Sequence, residues 1–158
     1  MSSKLRVVRA VRRPQDESDE SDEVQLDDLD AGIEAFTVAS ELWRLADPAK
    51  AARLDAIVER VGQRPGMAFR FEREDCLDIA EVLPGLDQAL VDRGVVAPTT
   101  WYVDDAKAAE YAAQLPTVAR EYSYSEPKAL LTNGILTVRD LGILFDRAIA
   151  EHADVVVG

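Results

Sequence analysis

Cys76 is the residue whose type most directly suggests chemistry, because a thiolate serves both as nucleophile and as metal ligand. Its surroundings argue against that use. Asp75 precedes it, and an adjacent carboxylate disfavours the thiolate, while Leu77, Ile79 and Ala80 make Cys76 read as a small hydrophobe buried in a helix. His152 is the sole histidine, and nothing in the sequence sets it against Cys76. It falls in the last turn of an expected final helix, where an imidazole meets the negative end of the helix dipole. One cysteine and one histidine build neither an internal disulfide nor a zinc site.

Carboxylates are plentiful. Glu72, Glu74, Asp75 and Asp78 gather after Phe71, and Asp75 and Asp78 are spaced to share one helix face. A hard divalent cation can use such a set. The same residues also serve as helix caps and solvated surface, which is the preferred reading. The spacing of a calcium-binding loop is absent, as are a glycine-rich phosphate loop, G-x-S-x-G and H-E-x-x-H. An enzyme reading therefore has only cation-dependent chemistry at Glu72–Asp78 to draw on. The expectation is no catalytic residue, no metal and no cofactor.

Recognition has better material. In the run from Arg120 to Pro127, Tyr122 and Tyr124 share a face if the chain is extended, and tyrosines combine a large contact area with a polar tip. Packing of both rings across the core is the competing reading. Trp101 is a third aromatic candidate for a binding surface. The tract from Asp16 to Glu23 alternates acids with Ser18 and Ser21, and Asp19, Glu20, Asp22 and Glu23 are its candidates for steering a basic partner. A solubilising spacer, or folding back over the chain's own arginine-rich first segment, are the other roles open to it.

The charge distribution frames these candidates. The 158 residues hold 18 Lys plus Arg against 30 Asp plus Glu, for a formal charge of -12. Residues 1–13 carry +5, residues 14–30 carry -9, and the remainder carries -8. A field of that sign is repelled by nucleic-acid phosphates and anionic lipid, so neither is an expected partner. No run of apolar residues exceeds three, which gives no transmembrane span and no recognisable signal peptide; the expected location is the cytoplasm.

Elements that would position the candidates follow from periodicity and punctuation. A basic strand is expected over residues 1–13, an acidic flexible loop or linker over 14–27, and a helix-rich body over 28–158. Within the body, helices are expected over 28–46, from Asp47-Pro48 to Val61, after Asp75, over 86–93, from Asp104 to Leu115, over 127–132 and over 138–152. Pro116 is read as a helix terminator, Asn133-Gly134 as a turn, and Thr137–Asp140 as an approximate capping box. Met67, Phe69 and Phe71 alternate as in a half-buried strand, and Val155–Val157 suggests a closing one. The fold class expected is a compact single α+β domain, helix-rich, with a small sheet of three or four short strands.

Charge, size and the lack of a catalytic set favour a non-catalytic domain that binds a basic protein, with an inhibitor or immunity protein as one form. Trp101, Tyr122 and Tyr124 would supply contact area, and the acidic tract would steer. A structural component of a larger assembly, with self-association, is the alternative. The cation-dependent enzyme comes third.

Overall fold

A computed structural model of the chain describes residues 4–11, 22–66, 69–96, 105–122 and 127–158. Strand β1 (Leu5–Val11) pairs antiparallel with β2 (Asp22–Leu29), Leu5 opposite Leu29. Leu5 to Val8 also pair with β4 (Asp154–Val157), which pairs in turn with β3 (Phe69–Phe71). The antiparallel order is β2-β1-β4-β3, so the strands nearest the two chain ends lie at its centre. Alternation sorts its faces. Leu5, Val7, Phe71 and Val155 enter the core, whereas Arg6, Val156 and Arg70 stand in register on the opposite face.

Part of the expected acidic linker is thus a strand. Residues 22–27, and the first residues assigned to a helix, form β2. It is held by ladder pairing with β1, which sets Leu29 opposite Leu5 and Asp28 opposite Arg6, while Lys4 reaches Asp28 at 3.7 Å. Helix α1 (Glu34–Ala46) begins only afterwards. Helix α2 (Pro48–Gly62) starts as expected, with Asp47 accepting from the Ala49 amide at 3.1 Å and Pro48 in the first turn.

After β3 come α3 (Arg73–Val82), α4 (Leu86–Asp92), α5 (Asp105–Ala112), α6 (Pro116–Glu121) and α7 (Pro127–Ala150). Helix α7 packs on β1, β2 and β4, and α3 packs on β3 and β4. Phe36, Phe71 and Phe145 join α1, β3 and α7 through one stacked contact of 4.9 Å and two edge contacts of 5.3 and 5.9 Å. The result is one compact, helix-rich α+β domain with a four-stranded sheet, as the sequence leads one to expect.

Two breaks read from the sequence take other forms in the structure. Asn133-Gly134 lies inside α7, where the missing Cβ matters for packing: an added one would sit 3.2 Å from Leu42 Cδ1 and 3.4 Å from Val118 Cγ1. Glycine there lets α7 approach α1 and α6. The chain does break before Pro116, α5 stopping at Ala112, but Pro116 itself opens α6, its missing N–H costing nothing in a first turn. Among the described residues no helix is long and apolar enough to cross a membrane.

Candidate functional site

The carboxylate cluster after Phe71 is occupied by the chain's own cations. Asp75 is fully buried at the third position of α3, and its Oδ2 accepts from the Glu72 amide at 3.0 Å, one arm of a capping box. Arg64 grips both its oxygens, and Arg60 donates to Oδ1 at 2.7 Å and to Asp78 Oδ2 at 3.0 Å. Burial pushes the Asp75 carboxyl up, but the hydrogen bonds from Arg64 and Arg60 outweigh that and hold it below the ordinary value of 3.8. Two guanidinium groups stand where a divalent cation would have to sit. Among the described residues no set of three His, Cys, Asp or Glu side chains is grouped to hold a metal ion. Asp75 and Asp78 are thus committed to ion pairs within the chain.

Cys76 is buried on α3, its Sγ 3.5 Å from the Phe71 carbonyl oxygen, and burial together with the Asp154 carboxylate pushes the thiol up to about 12. It packs as an inert hydrophobe. His152 lies just past α7 rather than in its last turn, with a left-handed φ of 51°. The Ala153 amide donates to Ala148 O at 2.8 Å and the His152 amide to Ile149 O at 3.3 Å, the paired bonds that close a helix C-terminus. Arg73 donates to His152 Nδ1 at 2.9 Å, so that ring nitrogen is the acceptor.

Of the recognition candidates, Trp101, Tyr124, Asp19 and Glu20 lie outside the described residues. Asp22 opens β2. Glu23 is exposed on that strand and pairs with Arg70, which also holds Asp154 at 2.8 Å. Tyr122 ends α6, half-buried against the core, with its hydroxyl on Thr137 Oγ1. The Thr137 hydroxyl donates to the Asn133 carbonyl at 2.9 Å, so Tyr122 donates to Thr137. Tyr122 therefore packs on the core with its hydroxyl satisfied within the chain.

Tyr122 also lines an acidic cavity that the sequence does not announce. The space of about 260 Å³ is bounded by Asp30 and Glu34 before and at the start of α1, Glu121 at the end of α6 and Tyr122 just after it, and Thr137 and Asp140 on α7. Glu121 has Arg120 at 3.8 Å; among the described residues Asp30, Glu34 and Asp140 have no ion pair. Asp140 also bounds a smaller neighbouring space of about 160 Å³ with Asp27, Asp28 and Ile143. Ile143 is 58% exposed, the most exposed large hydrophobe among the described residues. The acids come from three separate stretches of sequence, and only the packing of β2, α6 and α7 brings them together. The one signal available beforehand was the excess of acids over residues 27–34, which read as helix caps.

Comparison with family models, with curated proteins and with solved structures gave no significant match.

Proposed function

We propose that this chain is a non-catalytic protein-binding domain, cytoplasmic, whose acidic face between β2, α6 and α7 engages a basic protein. The observation that carries this reading is the run of Asp27, Asp28, Asp30, Glu34, Glu121 and Asp140 around two adjoining cavities, with Ile143 exposed beside them. The carboxylates are too dispersed to converge on a metal ion, and dispersed acids suit the spaced cations of a lysine- and arginine-rich surface. The net charge of -12 adds long-range steering toward such a partner and repels nucleic acid. An inhibitor or immunity protein is the form in which a small acidic domain without catalytic groups acts by binding alone.

The test is association kinetics with the basic protein that the intact chain retains from its host's lysate. A variant combining Asp30→Asn, Glu34→Gln and Asp140→Asn is expected to associate about tenfold more slowly at low salt, with a weaker salt dependence. Unchanged rates and salt dependence would sink the proposed face. The inhibitor form further requires that the partner's own activity fall as the chain is added to stoichiometry.

A further inference from the structure

Past Ile143 the acidic face runs into an apolar groove of about 360 Å³ between α7 and the α3–α4 connection. Its walls include Ala80, Leu83, Leu86, Val138 and Ile143, and Leu77, 44% exposed, stands one turn before Ala80. Asp146 adds negative charge at its edge, while Arg139, which also lines the groove, is paired with Asp87 at 3.0 Å. Gly142 lines the groove in the middle of α7. Unlike Gly134, it has no internal reason to be glycine: its φ lies outside the left-handed region, and an added Cβ would meet nothing within 4 Å. A glycine inside a helix costs about 1 kcal/mol relative to alanine. Here the missing side chain leaves the groove deeper and gives nothing back to the fold.

Resting on the reading of the acidic face, we infer that this groove takes the apolar anchor of an amphipathic basic segment of the partner protein. The lysines or arginines of that segment lie over Asp140, Asp27 and Asp28. From Thr137 to Asp146 the combined surface follows α7 for about 14 Å, the length of four or five extended residues or of a short helix. Charge selects this occupant over a second copy, because an isologous contact would press two acidic faces together.

Three synthetic peptides of equal length test the inference on the full chain: lysine with interspersed leucine, the same peptide with serine for leucine, and the same with glutamate for lysine. Binding is followed by anisotropy and by the amide resonances of Gly142 and Ile143. The lysine–leucine peptide is expected to bind tightest and to shift both resonances, and Gly142→Leu to weaken it about tenfold by filling the groove. Gly142→Ala, expected to raise the melting temperature, is the second variant and shows that lost binding is not lost folding. Equal binding of lysine–leucine and lysine–serine peptides, indifferent to Gly142→Leu, overturns the anchor while leaving the acidic face standing. Preference for the glutamate peptide, or no binding by any, overturns both. A concentration-dependent dimer abolished by Gly142→Leu would assign the groove to a second copy and overturn the occupant.

Discussion

Glu41 on α1 caps α6 from a distance: its carboxylate accepts from the Thr117 amide, 76 residues further along the chain, at 2.8 Å and from the Val118 amide at 3.1 Å. Glu41 is 5% exposed on α1, and Leu115 gives α6 no side-chain cap of its own. The buried first turn therefore draws its acceptor, and a negative charge suited to the dipole, from another element.

Removing that acceptor leaves two buried amides unpaired. Glu41→Ala is expected to lower unfolding free energy by about 2–3 kcal/mol, and Glu41→Gln, which keeps an oxygen but loses the charge, by about 1 kcal/mol. Urea denaturation gives the totals, and hydrogen exchange at Thr117 and Val118 shows where they arise. Equal losses for both variants would assign the effect to charge rather than to the acceptor.

Asp75 sets an acid limit on stability. Its carboxyl titrates lower in the folded chain than its ordinary 3.8, so the folded state favours the ionised form. The contribution is complete above about pH 4 and is lost as pH falls through the lowered folded value. Urea midpoints measured from about pH 6 down to about pH 2 should fall more steeply for the wild type than for Asp75→Asn. The variant should start lower, by about 1–3 kcal/mol, because the Glu72 amide and the two guanidinium groups lose their charged acceptor. Parallel acid limbs in the two proteins would show that Asp75 is not held ionised.

Burial and a thiol pushed up to about 12 make Cys76 slow to alkylate. At pH 8 the thiolate is on the order of one part in ten thousand, and reagent must wait for the core to open. Iodoacetamide should modify the folded protein orders of magnitude more slowly than the urea-unfolded chain. Comparable rates would mean that α3 opens far more readily than its burial implies.

Much of the fold is legible where local chemistry decides it. Asp47-Pro48 starts α2, and Val155 and its neighbours form a strand as their β-branched run suggests. Elsewhere the deciding partner is remote. The acidic residues of β2 are strand because β1 lies beside them and supplies the ladder, and the pairing of β1 with β4 has no local sign. Gly134 carries the residue type of a break, but Leu42 and Val118 on other elements make it a close-packing position inside α7. The candidate site suffered likewise. Tyr122 could be singled out from its type, whereas the company of Asp30, Glu34 and Asp140 exists only in three dimensions.

His152 closes α7 at a position that favours glycine. A side chain at φ 51° crowds its own backbone, while glycine occupies that region freely. His152→Gly should therefore stabilise the chain by about 0.5–1 kcal/mol, offset in part by loss of the exposed contact with Arg73. His152→Val should destabilise by about 1–2 kcal/mol, because a β-branched side chain fits the left-handed region worst. Arg73→Ala separates the two contributions: it removes the ring contact and leaves the backbone conformation in place. Thermal melts of the three variants should rank glycine above wild type, with Arg73→Ala slightly below it and valine lowest. A melting point lower for His152→Gly than for wild type would mean that the Arg73–His152 contact outweighs the backbone strain, making that pair the true closure of the helix.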